Sequence, residues 1–320
     1  MKDFGGKLAV ITGGGTGMGR ALAQQLTAQG CDVAICDIID NNMQETLSLC
    51  RAEAAQGVQI SAHRCDVAEE DDITAFRDAV ARDHGRDHIN LLFNNAGIGG
   101  GGSLVNAPRE EWDRTFNICW NGVYLMTRHF LPLLLASKEG HVINTSSVNG
   151  FRASLGGNIP HTAYSAAKFA VKGFTEALIN DFRFNAPHLH ASVVMPGYVG
   201  TGIAKNTVEI LGADVVVLSD TEIEMQREQW LQDGVIDSLD TSNDEIRAMW
   251  RARMEDYDQG GLTPDEAATI ILDGVRANQW RILVGPDAVA LDKAVRRTPE
   301  EAYELDFSAK VAASMAENSE

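Results

Sequence analysis

The chain has 320 residues, 44% of them hydrophobic, with 45 acidic and 27 basic side chains and a formal net charge of −18. This length and apolar content suit one domain over residues 1–320 with a sizeable core, and length alone also allows two. The acidic excess repels polyanions and so argues against nucleic acid or an anionic membrane surface as partner.

Residues 1–7 carry no apolar stretch of the kind that marks a secretion signal, and they run straight into a predicted strand at 7–11. Next comes Thr12-Gly13-Gly14-Gly15-Thr16-Gly17-Met18-Gly19, which opens a predicted helix at 18–29. Glycine lacks a Cβ and tolerates positive φ, so such a turn can press its backbone against a phosphate. The helix start behind it offers free N–H groups and partial positive charge. The spacing is Gly-x-x-x-Gly-x-Gly, and alone it is also compatible with a tight strand-to-helix turn. Asp37 ends the second predicted strand, 32–36, 18 residues beyond Gly19. A carboxylate there can accept hydrogen bonds from an adenosine ribose. It would repel a 2′-phosphate by roughly 4 kcal/mol per unit charge at about 4 Å. NAD is therefore expected over NADP. Asp37 could instead cap the following helix, at 41–55.

A third strand is predicted at 59–63, followed by Asp66-Val67 and a helix at 69–83. The fourth, 89–93, runs into Asn94-Asn95-Ala96-Gly97, whose small residues let the backbone approach a ligand. One long helix is predicted at 109–136, then a strand at 141–144 ending in Ser146-Ser147. Tyr164 and Lys168 lie four apart on the predicted helix 163–185, hence on one face. A sixth strand, 190–194, leads to Pro196-Gly197. Residues 203–261 break the alternation. They are acidic and helix-forming, with apolar residues such as Val208, Ile210, Trp230, Trp250 and Met254, and read as an inserted helical lid or an oligomer contact. A helix at 264–277, a strand at 281–284 and a polar tail, 308–320, expected to fray, complete the chain.

Strand–helix alternation of this kind implies a Rossmann-type α/β fold, a doubly wound parallel sheet with helices on both faces. The chemistry-bearing residues fall at the carboxyl ends of strands, where such sheets bind ligands. The five cysteines form no Cys-x-x-Cys pair and no Cys/His cluster with zinc spacing, so no metal site is expected. Reduced thiols in a cytoplasmic setting, with no membrane span, are the expectation.

The glycine turn, Asn94-Asn-Ala-Gly, Ser147, Tyr164-x-x-x-Lys168 and Pro196-Gly197-x-Val199-x-Thr201 together resemble the short-chain dehydrogenase/reductase family. The resemblance covers residues 7–201 and resumes at 281–286. It implies about seven strands, a homodimer or homotetramer, and a catalytic set of Ser147, Tyr164 and Lys168. It further implies that Asp66 holds adenine, Asn95 lies on the adenosine side and Thr201 binds the nicotinamide amide. Gly13, Thr16, Gly17, Met18, Gly19, Val67, Ala96, Gly97, Pro196, Gly197 and Val199 complete the expected cofactor site. One position departs from the pattern: Cys119 stands where the family usually has an asparagine, with Asn117 and Asn121 flanking it. An altered proton relay is the favoured consequence, and a local distortion that brings Asn121 inward is the alternative.

The expected activity is hydride transfer between NAD and a secondary alcohol or ketone, with an apolar substrate suggested by the insertion. Competing readings are a dinucleotide-binding regulatory protein, and an epimerase or dehydratase on the same scaffold. His161, in the long segment between Ser147 and Tyr164, is read either as a substrate contact or as a surface-loop histidine.

Overall fold

The computed structural model describes residues 1–154, 160–212, 220–232 and 234–317. Leu155 and Ile159, noted in the segment before Tyr164, lie outside the described residues, as do the side chains of Val208 and Met254. Seven strands form one sheet: β1 (Leu8–Thr12), β2 (Asp32–Asp37), β3 (Ile60–Arg64), β4 (Leu91–Asn94), β5 (Gly140–Thr145), β6 (Leu189–Pro196) and β7 (Arg281–Val284). Their order is β3-β2-β1-β4-β5-β6-β7, and every pairing is parallel. The order reverses between β1 and β4, which opens a crevice at the carboxyl ends of those strands.

Alternation along β1 shows how the short apolar runs build two cores. Ala9 and Ile11 join one cluster with Leu22 and Leu26 of α1 (Gly17–Ala28) and Ile271 and Leu272 of α10 (Pro264–Arg276). Leu8 and Val10 join the other, with Phe76 of α3 (Glu70–His84), Phe130 of α5 (Gly122–Leu135) and Leu178 of α6 (Thr162–Asn185). The period of two sends neighbouring side chains to opposite faces, so a strand covered on both sides must be apolar throughout. Helix α2 (Asp40–Glu53) packs beside α1, burying Met43 and Leu47.

Three expectations need correction. The single helix at 109–136 is α4 (Arg109–Phe116), a π-helical turn at Asn117–Asn121, and α5. The wider turn accommodates an extra residue, and both Cys119 and Gly122 end up buried. The insertion forms α7 (Ile203–Leu211), α8 (Asp220–Gln232) and α9 (Asn243–Gln259), but Trp230, Leu231, Ile236, Met249 and Trp250 pack on one another and on Ile223 and Ile246. That separate small core removes the reason to infer an apolar substrate from them. Residues 308–317 of the tail expected to fray are helical instead, within α12 (Phe307–Glu317), which follows α11 (Pro286–Arg297) and begins at buried Phe307; 318–320 lie outside the described residues. No described helix is long and apolar enough to cross a membrane.

Strand β5 holds a titratable weak point, on the sheet face of the first core. His141 of β5 is fully buried, with Nε2 paired to Ser192 Oγ at 2.7 Å. Burial, aided by neighbouring His190, lowers its pKa to about 3. An unfolded histidine titrates near 6.5, so on acidification the unfolded chain takes up the proton first. Stability is therefore lost as the pH falls below about 6.5, by about 2 kcal/mol at pH 5 from this group alone. Urea midpoints at pH 7 and pH 5 check this, and His141→Gln should flatten the slope.

Candidate active site

The crevice at the β1/β4 reversal is an open groove. Its floor is the glycine turn. Gly13 has φ +64°, and a Cβ there would lie 2.9 Å from Ala96 Cα. A Cβ on Gly19 would fall 2.1 Å from the Gly13 carbonyl oxygen, so only hydrogen fits where α1 meets the loop. Gly19→Ala should therefore weaken NAD(P) binding by about tenfold or more, as titration of dinucleotide by fluorescence would show. Thr12 Oγ1 accepts hydrogen bonds from the amides of Asn95 and Ala96 at 3.0 Å each, and Asn95 Nδ2 donates to Thr12 O at 3.1 Å. These bonds tie the loop after β4 to the loop after β1.

Asp37 lines the groove with its carboxylate well supplied: Gly15 N donates at 2.9 Å, Ile38 N at 2.8 Å and Ile39 N at 3.2 Å. Gly13, Thr16, Gly17, Met18, Asp66, Val67, Asn95, Ala96, Gly97 and Thr201 line it too. Pro196, Gly197 and Val199 sit away from this wall. Gly197 abuts the carboxylate of Asp287, which accepts from Tyr198 N at 2.7 Å, and Val199 is buried in the first core. The sequence reading missed Ile38, Ile98, Arg114, Ile118, Ile203, Asn206 and Ile210, all on the groove wall. Arg114 donates to Asp66 Oδ2 at 2.5 Å, while Asp66 Oδ1 accepts from Ala68 N at 3.0 Å. Asn206 of α7 reaches Thr16 Oγ1 at 2.9 Å, so the first helix of the insertion bridges the groove to the glycine turn.

Beside Gly97 of the groove wall, Ser147, Tyr164 and Lys168 come together. Ser147 caps a short 3₁₀ turn, its Oγ accepting from Asn149 N at 3.1 Å, and it hydrogen-bonds Tyr164. Lys168 Nζ donates to Thr145 O at 2.9 Å and lies 5.2 Å from the centre of the Tyr164 ring. Gly97 borders this cluster: a Cβ there would be 3.5 Å from Lys168 Nζ and 3.6 Å from Cys119 Sγ. Burial holds the Tyr164 phenol above its ordinary value; the Cys119 sulfur adds to this and the Ser147 hydrogen bond opposes it. Burial likewise holds the Lys168 ammonium below its own.

The sequence profile of the short chain dehydrogenase family matches residues 7–211. The chain belongs to the short-chain dehydrogenase/reductase family. A Mycobacterium tuberculosis protein named "Putative oxidoreductase SadH" is 32% identical over 296 residues, 92% of either chain. Human "Dehydrogenase/reductase SDR family member 11" is 31% identical over 206 residues, covering 64% of this chain and 77% of its own. Among solved structures, a Burkholderia phymatum short-chain dehydrogenase/reductase in complex with NAD superposes with TM-score 0.73 at 28% identity, over 94% of this chain and 96% of that one. A metagenomic short-chain oxidoreductase in complex with NADP gives TM-score 0.54 at 31% identity, over 61% of this chain and 83% of its own. The protein is thus an oxidoreductase of this family with its NAD(P)-binding fold.

Within that family frame, Cys119 is the inward residue of the π turn. Its Sγ is fully buried and donates to Ile98 O at 3.3 Å. The turn does not bring Asn121 to the lysine; Asn121 Nδ2 instead donates to Asn117 Oδ1 at 2.6 Å. The distortion exists, but a thiol, a weak hydrogen-bonding group, is what it presents beside Lys168.

Proposed function

We propose that the protein is an NAD-dependent oxidoreductase that moves a hydride between nicotinamide and a secondary alcohol or ketone. One observation carries this reading: a Ser147–Tyr164–Lys168 cluster lies behind Gly97 of a groove that also displays the Asp37 carboxylate. The residues present fit a dinucleotide. The loop built on Gly13 and Gly19 has no room for side chains, α1 points its free amides at the groove, and Asp37 and Thr201 supply polar groups along it.

When bound, the nicotinamide supplies the hydride acceptor and a positively charged ring. The rest of the chemistry falls to the protein. Ser147 Oγ holds the substrate oxygen. Tyr164 takes the hydroxyl proton as the alcohol is oxidised and returns it in reduction. Lys168 stabilises the phenolate from one helical turn away. Asp66, oriented by Arg114, offers a carboxylate to the adenine amino group. The exposed Tyr124, Leu135, Phe169 and Phe184 on α5 and α6 suit contact with further copies of the chain, as in a homodimer or homotetramer.

The test is direct. Purified protein is mixed with NAD and a panel of secondary alcohols, and reduced nicotinamide is followed by absorbance. Steady formation of the reduced form supports the proposal. Tight NAD binding without turnover across the panel would instead favour a regulatory dinucleotide-binding protein, a reading that Cys119 beside Lys168 keeps in play.

A further inference from the structure

We propose that His161 contacts substrate and binds a second, neutral oxygen next to the reacting carbinol, so that the preferred substrates are vicinal diols and α-hydroxy ketones. This rests on the hydride-transfer reading above and names its substrate class.

Residues 161–163 are held in place by the loop after β4. Thr162 N and Oγ1 donate to Gly102 O at 3.0 and 2.9 Å, and Ala163 N donates to Gly101 O at 3.0 Å. The fit is close, since a Cβ on Gly101 would be 2.3 Å from Ala163 Cβ. So fixed, the His161 imidazole meets the Tyr164 ring edge-on, with centroids 4.7 Å apart and planes at 68°. A surface-loop histidine would have its nitrogens in water. Here Nε2 is enclosed and has no hydrogen-bond partner. Buried polar atoms in folded proteins are nearly always paired, because an unpaired one costs about 1–3 kcal/mol. An orphaned nitrogen packed against the residue that handles the substrate hydroxyl is the signature of a partner that arrives with the substrate.

The chemistry of that partner follows from the state of the ring. Burial lowers the His161 pKa to about 4, so near neutral pH the ring is uncharged and offers one donor and one acceptor. A neutral imidazole gives no ionic attraction to a carboxylate, which disfavours hydroxy acids. It matches a hydroxyl or a carbonyl. The ring is packed on Tyr164 itself, so the oxygen it would hold is one borne by the carbon next to the carbinol. The carbinol C–H transfers its hydride to NAD and the O–H proton goes to Tyr164. The second oxygen keeps its oxidation state and only hydrogen-bonds to His161. Trp230, Leu231, Met249 and Trp250 of α8 and α9 do not compete with this assignment, since they fill a core of their own.

The test compares kcat/KM for trans-1,2-cyclohexanediol and cyclohexanol, with NAD, in the wild type, His161→Phe and His161→Gln. Phe preserves the edge-on packing and removes both nitrogens; Gln restores a donor and an acceptor. The wild type should favour the diol. The diol-to-monoalcohol ratio should fall about tenfold or more in His161→Phe and recover in part in His161→Gln. Should His161→Phe not fold, His161→Leu gives the same ratio. A wild type without diol preference, or a ratio unchanged by loss of the nitrogens, overturns the assignment and leaves the hydride-transfer reading standing. Turnover of neither alcohol overturns both.

Discussion

Tyr164→Phe is expected to lower alcohol oxidation by roughly 10²–10⁴-fold, the usual reach of a positioned acid–base group, while dinucleotide binding persists. The phenol hydroxyl is the one group in the cluster that can both take and return a proton near the substrate oxygen. Ser147 has too high a pKa, and Lys168 is engaged with Thr145 O. Phe keeps the ring that Lys168 and His161 pack against, so packing is disturbed little. The pH dependence supplies an independent check with a definite sign. Burial raises the Tyr164 pKa in the protein alone. Oxidation needs the deprotonated phenol, so kcat/KM for the alcohol should climb with pH; reduction needs the protonated form and should decline over the same range. A variant that keeps wild-type turnover, or an oxidation profile that falls with pH, would remove Tyr164 from its role.

Much of the scaffold is legible in local sequence. Short runs such as the one around Val10 and Ile11 are apolar throughout because both sheet faces are covered, and all seven strands lie within a few residues of the predicted places. Tyr164 and Lys168 share a face by helical spacing alone, and the structure brings them to Ser147. What stayed hidden depends on contacts distant in sequence. The π turn leaves no mark in the apolar periodicity of 109–136; only Gly122, pressed against Val67, reveals the constraint. The Arg114–Asp66 pair joins α4 to the end of β3, and neither residue alone hints at the other. Trp230 and Trp250 read as lid residues because the sequence does not say that they face each other's cluster and not the groove. His161 stayed open between substrate contact and surface loop because nothing local shows that Gly101 and Gly102 dock beside it.

Asp37 governs the second large effect. The wild type should prefer NAD to NADP by about 10³-fold, and Asp37→Asn should reduce that preference by about 10² or more. A 2′-phosphate on the adenosine ribose brings negative charge against the Asp37 carboxylate, and roughly 4 kcal/mol per unit charge at about 4 Å corresponds to about three decades in affinity. Asn removes the charge and keeps one acceptor oxygen, enough for Gly15 N or for the Ile38 and Ile39 amides but not for both sets, which the carboxylate holds through separate oxygens. Arg64 strengthens the expected change. It is paired in register with Asp37 on the neighbouring strand and is exposed, so it is a nearby cation no longer opposed by that carboxylate in the variant. The two effects separate by salt. Attraction of NADP to the variant through Arg64 should weaken as ionic strength rises, whereas the loss of repulsion at a half-buried carboxylate should be screened much less. Titrating both dinucleotides into both proteins at low and high salt reads all of these quantities. Equal wild-type affinity for NAD and NADP would show that Asp37, fully occupied by its three backbone donors, does not face the ribose, and the cofactor assignment would fall with it.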